Sequence, residues 1–188
     1  MPTSAKKCCN RSMTDTPTRR RILGIDPGSR MTGFGVVDFD GDKAVYVASG
    51  TINSSGGEFA DRLRRIFESI GSIVDEYQPN IVSIESVFMH KNAGSALKLG
   101  QARSAAICAT FECGAEVFEY APREIKQAVV GSGAASKEQV QHMVVSILKL
   151  SGVPAPDAAD ALAAALCHGH QRLLNARLGI GKAIAGAQ

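Results

Sequence analysis

Arg21-Ile-Leu-Gly-Ile-Asp26 runs directly into Pro27-Gly28. A short apolar run closed by an acid and a Pro-Gly turn reads as a buried strand that stops abruptly. Working outward, Met31–Asp40 (MTGFGVVDFD) reads as a second strand and Asp40-Gly41-Asp42 as a hairpin turn. Lys43–Ile52 (KAVYVASGTI) is a third strand, alternating as a half-exposed one does. Past a loop at Asn53–Gly57, Phe59, Leu63, Ile66, Phe67, Ile70, Val74 and Tyr77 recur every three or four residues. That spacing predicts an amphipathic helix, stopped by Pro79. Ile81–Glu85 (IVSIE) has little polar character and suits a central strand.

The remainder alternates in kind. Asn92–Cys113 reads as a helix, Glu116–Tyr120 as a fifth strand, and Pro122 to Gly131 as a short helix with proline in its first turn. Ser136-Lys-Glu-Gln139 has the form of a capping box that opens a helix through Leu150. An Ala-rich helix is expected from about Asp157 to Arg177. Three consecutive strands, then helix–strand–helix–strand and terminal helices, predict an α/β fold with a mixed five-stranded sheet flanked by helices. There are no internal repeats.

The chain has 188 residues, 45% hydrophobic and 21% charged. That suits one compact domain with a real core. No stretch approaches the roughly 20 apolar residues that span a bilayer, so a soluble, cytoplasmic protein without a membrane partner is expected. Residues 1–21 hold Lys6, Lys7, Arg11, Arg19, Arg20 and Arg21 against Asp15 alone, a surplus of five positive charges. The total is +3, so the body is net −2, and nucleic-acid binding must rest on local clustering rather than overall basicity. Residues 1–20 are expected to be a disordered basic extension, with Met13 an alternative start, and 179–188 a flexible tail. The domain proper is assigned to 21–178. Five cysteines (8, 9, 108, 113 and 167) match neither a zinc site nor a disulfide framework and read as reduced thiols. Cys167-His168-Gly169-His170, with no distant partner, makes a poor closed metal site.

Three places put acids where a fold does not want them. Asp26 ends the first strand, Glu85 ends the fourth, and Asp157 and Asp160 share a face of the last helix at i and i+3. Ends of strands one and four can be neighbours in a mixed sheet, and a C-terminal helix can pack across them. Like charges roughly 4 Å apart repel by about 4 kcal/mol at an effective dielectric of about 20, so such a cluster calls for cations. All-oxygen donors suit Mg2+ or Mn2+, and two such ions can serve phosphodiester hydrolysis. Taken singly, Asp26 before Pro-Gly also suits a turn, and Asp157 and Asp160 also suit the positive end of a helix. Glu85 closing a buried strand has no common structural role.

Six blocks now align with a known pattern. Ile22-Leu-Gly-Ile-Asp-Pro-Gly-Ser-Arg30, Val87-Phe-Met-His-Lys-Asn92, Ser95-Ala-Leu-Lys-Leu-Gly-Gln-Ala-Arg103, Lys126-Gln-Ala-Val-Val-Gly131, Gln139-Val-Gln-His-Met143 and Asp157-Ala-Ala-Asp-Ala-Leu-Ala163 together resemble the RuvC family of Holliday junction resolvases. The similarity runs from about Arg21 to His170. It implies an RNase H-like fold, a homodimer, and paired nicks of like polarity across a four-way junction that leave 5′-phosphate and 3′-hydroxyl ends. It implies two Mg2+ per active site, replaceable by Mn2+, held by Asp26, Glu85, Asp157 and Asp160, and work alongside the RuvA and RuvB branch-migration proteins. It also implies DNA contacts. Phe88 would stack on bases near the junction centre, Lys126 and Lys137 would approach the backbone near the scissile phosphate, and Lys91, Lys98 and Arg103 would meet phosphates further out. Ser86 departs from the pattern, standing where many members carry Gln.

Three other readings stay open. A YqgF-like nuclease of the same fold would act on RNA. A sugar kinase or actin-like ATPase also places Asp-x-Gly after a first strand, but usually needs a second domain. A junction-binding protein without catalysis would not need the acids.

Overall fold

The computed structural model describes residues 20–86 and 92–179. Phe88, Lys91 and nearly all of the two expected terminal segments lie outside them. In chain order the elements are β1 (Arg20–Asp26), β2 (Met31–Asp40), β3 (Lys43–Asn53), α1 (Phe59–Tyr77), β4 (Ile81–Glu85), α2 (Ala93–Cys108), β5 (Glu116–Tyr120), α3 (Pro122–Val130), α4 (Lys137–Leu148) and α5 (Pro156–Arg177). The sheet order is β3-β2-β1-β4-β5. β1, β2 and β3 pair antiparallel, while β1–β4 and β4–β5 pair parallel. This is the expected mixed five-stranded sheet.

Two cores form, one on each face of the sheet, because strand side chains alternate. Leu23, Ile25, Val82 and Ile84 face Ile66 and Ile70 of α1 and Ala102 and Ala106 of α2. Ile22 and Ile81 face the other way, toward α3, α4 and the buried run Leu162–Cys167 of α5. Among the described residues no helix is long and apolar enough to cross a membrane.

One boundary differs from expectation. α2 ends at Cys108 rather than 113, and a short 3-10 turn follows at Phe111–Cys113. Thr110 causes the break by turning its hydroxyl back onto the Ile107 carbonyl (2.8 Å), which competes with continued helical pairing. The capping box at Ser136 forms as read: its side chain accepts from the Gln139 amide, and Gln139 Oε1 accepts from the Ser136 amide.

The Cys167–His170 stretch lies inside α5. Cys167 is fully buried, and His168 sits against Phe118 and hydrogen-bonds Tyr120 at 2.8 Å. Burial lowers the His168 pKa to about 4, so the ring is neutral. These side chains are core.

Candidate active site

Strand parity decides which acids can meet. On β1, Ile22, Gly24 and Asp26 share one face; on β4, Ile81, Ser83 and Glu85 share it. The parallel register pairs Ile25 with Ile84, so Asp26 and Glu85 stand one rung further, side by side on the α5 face.

α5 is brought onto that face by missing side chains. A Cβ on Gly24 would lie 1.9 Å from the Ala161 carbonyl oxygen, and one on Gly33 would lie 1.9 Å from that of Asp157. Gly33 is the register partner of Asp26. Asp157 and Ala161 are one helical turn apart, so the two close approaches fix both the height and the rotation of α5. Ser83 adds a tether, its buried hydroxyl donating to the Ala164 carbonyl at 2.6 Å. The start of α5, with Asp157 in its first turn and Asp160 just beyond, is thereby set over the ends of β1 and β4. The loop after Asp26 is tied as well: Thr32 Oγ1 donates to the Gly28 carbonyl (2.9 Å) and the Ser54 amide donates to that of Arg30 (2.9 Å).

The electrostatics show that the four acids share one field. Burial, then Glu85, Asp160 and Asp157, push the Asp26 carboxyl up to about 8. Burial and then Asp160 raise Glu85. Burial is the first cause for both; Asp26 faces three acids against Lys137 alone, whereas Glu85 faces Asp160 against Lys137 and Lys126. Lys137, the first residue of α4, donates to Asp160 Oδ2 at 3.0 Å and acts in turn on Asp26 and Glu85. Lys126 of α3 favours ionised Glu85 from further off. Among the described residues, no three acidic, histidine or cysteine side chains are gathered closely enough to enclose an ion. The carboxylates therefore stand within electrostatic reach of one another, with an ammonium rather than coordination geometry among them.

Two of the remaining expected DNA contacts also have neighbours within the protein. Arg103 forms an ion pair with Glu119 of β5, its side chain only 18% exposed, so its charge is already engaged within the fold. The Lys98 ammonium lies 5.9 Å from the centre of the Phe59 ring, beside Arg62 at 5.4 Å, on the surface between α1 and α2. Gly24, Gly33 and Ser83 escaped the sequence reading. Their only trace was two glycines and a serine inside otherwise apolar strands.

A mixed sheet of this order, with acids at the ends of two adjacent strands and on the helix laid across them, defines an RNase H-like protein with a carboxylate centre. The family model described as crossover junction endodeoxyribonuclease RuvC matches residues 22–168. The chain is 56% identical over 158 residues to the crossover junction endodeoxyribonuclease RuvC of Methylococcus capsulatus, covering 84% of this chain and 95% of that protein. It is 58% identical over 149 residues to that of Psychromonas ingrahamii, covering 79% and 86%. The structure of Thermus thermophilus RuvC in complex with a Holliday junction substrate is similar with a TM-score of 0.78 at 35% identity, over 83% of this chain and 96% of that one. The chain belongs to the RuvC family of crossover junction endodeoxyribonucleases. Membership implies a divalent metal cofactor, and the donor set fits one: every candidate ligand is a carboxylate oxygen, and Asp26 and Glu85 stay raised despite the lysines nearby.

Proposed function

We propose that this chain is a structure-selective endonuclease that resolves four-way DNA junctions by paired, symmetric nicks. The observation that carries the reading is the placement of Asp26 and Glu85 side by side on adjacent strands of one sheet face, under the start of the helix that bears Asp157 and Asp160. These four would hold two Mg2+, with Mn2+ an effective substitute. When bound, such ions supply Lewis-acid activation of water and charge compensation at the leaving oxygen. The protein's own part is to hold four carboxylates at strand and helix ends, with Asp26 partly shielded from solvent. Lys126 and Lys137 supply positive charge on the side where a phosphate would lie. The nuclease domain spans 21–178.

DNA is held further out. Phe88, by the family resemblance, stacks on bases at the junction centre; Lys91 and Lys98 contact phosphates. Arg103 supports the arrangement through Glu119 instead of reaching for DNA.

Two nicks require two sites, and each chain builds one, so the working unit is a homodimer. α2 supports a second copy as its occupant: it buries only Ala102 and Ala106, while Leu97 is 66% exposed and Phe67 of the neighbouring α1 47%. The branch-migration proteins RuvA and RuvB are the expected partners, in the cytoplasm. The test is to compare a synthetic four-way junction with linear duplex and RNA in Mg2+. Symmetric nicks in the junction alone, lost in Asp26→Asn with binding retained, are expected. Cleavage of RNA in preference to the junction would move the chain to the YqgF-like reading.

A further inference from the structure

We propose that the Lys137 ammonium is a resident stand-in for the divalent ion, holding Asp160 in the ion-free protein and giving it up as an ion enters. This rests on the reading that Asp26, Glu85, Asp157 and Asp160 hold the ion. Three observations support it. The contact is direct, Lys137 Nζ to Asp160 Oδ2 at 3.0 Å, and the same ammonium is within electrostatic reach of Asp26 and Glu85. It therefore serves three of the four acids at once. The Asp160 side chain is only 20% exposed, so water cannot readily replace the lysine, whereas the Lys137 side chain is 73% exposed and free to leave. The backbone beneath it is tied down: Lys137 begins α4, and the reciprocal Ser136–Gln139 capping bonds hold that helix end.

The exchange follows from these constraints. An entering ion competes for Asp160 with a cation already seated on it, so ion affinity is lower than the carboxylates alone would give. Release of Asp160 frees an ammonium on a fixed tether beside the site, where the next available anion is a phosphate oxygen of the substrate. Positive charge is thus presented to the DNA once the ion has arrived. Among the described residues Lys126 forms no ion pair with these acids and acts on Glu85 through its charge alone.

The test is Mn2+ binding to the full chain without DNA, by titration calorimetry, alongside melting in chelator and in Mn2+. Lys137→Met is expected to bind Mn2+ roughly 5- to 150-fold more tightly than the parent, the usual range for coupled sites. It should melt lower in chelator and gain more on adding Mn2+. Lys126→Met should change affinity much less, and Lys137→Arg, which keeps a cation on Asp160, should not tighten binding. Unchanged or weaker Mn2+ binding by a folded Lys137→Met overturns the stand-in role. Asp26→Asn separates the two failures. If it abolishes Mn2+ binding while Lys137→Met fails to tighten it, only the stand-in role falls; if it binds like the parent, the metal site itself is wrong.

Discussion

Gly33 of β2 faces Asp26 across the antiparallel pair and at the same time lies against the Asp157 backbone, so close that a Cβ would sit 1.9 Å from the Asp157 carbonyl oxygen. One residue without a side chain therefore sets the separation between two of the four acids. The spacing of the carboxylates is a property of the packing of α5 on the sheet.

Gly33→Ala should accordingly damage the site more than the fold. The clash is with backbone, which cannot swing aside as a side chain can, so the start of α5 must lift. Overpacking of this kind costs about 1–3 kcal/mol, a fall in melting temperature of roughly 2–12 °C for a chain this size. Junction nicking should be lost while junction binding persists. Gly71→Ala in α1, where nothing lies within 4 Å, is the control. It should stabilise the helix by about 0.5–1 kcal/mol and leave nicking intact. Thermal unfolding and nicking assays on both variants decide the matter.

Asp26→Asn is expected to raise the melting temperature in chelator. The parent carboxyl is held well above its ordinary range, first by burial and then by Glu85, Asp160 and Asp157. Asn replaces a group whose ionisation burial and the neighbouring acids both oppose, so that cost is relieved. In millimolar Mg2+ the parent should recover part of the difference and the variant should not, because binding to the native state is what stabilises. A variant that melts lower than the parent in chelator would show that the acids are not in mutual repulsion.

Much of this centre was legible because strand periodicity is rigid. Once Ile22–Ile25 and Ile81–Ile84 read as buried strands, Asp26 and Glu85 had to end them, and parallel pairing of β1 with β4 put both acids on one face. What could not be read was contact between distant segments. Gly24 meeting Ala161 and Ser83 meeting Ala164 each join residues about 80 or more positions apart, with no local signal that pairs them. The ion pair of Arg103 is likewise invisible along the chain, because a basic residue on a helix carries no mark of its partner and only the fold brings Glu119 of β5 to it. The end of α2 was misplaced for a local reason, the back-bonded hydroxyl of Thr110, which an apolar-periodicity count does not register.

The lysines and Arg103 separate by salt dependence. Lys98→Ala should weaken junction binding across sequences and reduce the slope of affinity against salt by about one. Arg103→Ala should leave that slope unchanged and lower the melting temperature modestly, since its pair with half-exposed Glu119 is partly screened. Lys126→Ala should slow nicking at saturating enzyme with little effect on affinity. Equal salt-slope changes for Lys98→Ala and Arg103→Ala would return Arg103 to the DNA-contacting set.

His168 gives the fold an acid limit of its own. Its ring is buried, lowered to about 4 by that burial and then by Arg20, and accepts or donates one hydrogen bond with Tyr120. In the unfolded chain the same histidine titrates at its ordinary 6.5. Below that value the unfolded state takes up a proton that the native state refuses, so stability is full above about pH 6.5 and falls as pH drops toward 4. His168→Asn removes the titrating group. Although the variant is less stable at pH 7, its melting temperature should fall less steeply between pH 6.5 and 4.5 than that of the parent. The difference between the two profiles isolates His168 from the carboxylates, which titrate in both proteins. Parallel profiles would mean that the ring is already protonated, or free to become so, within the native core.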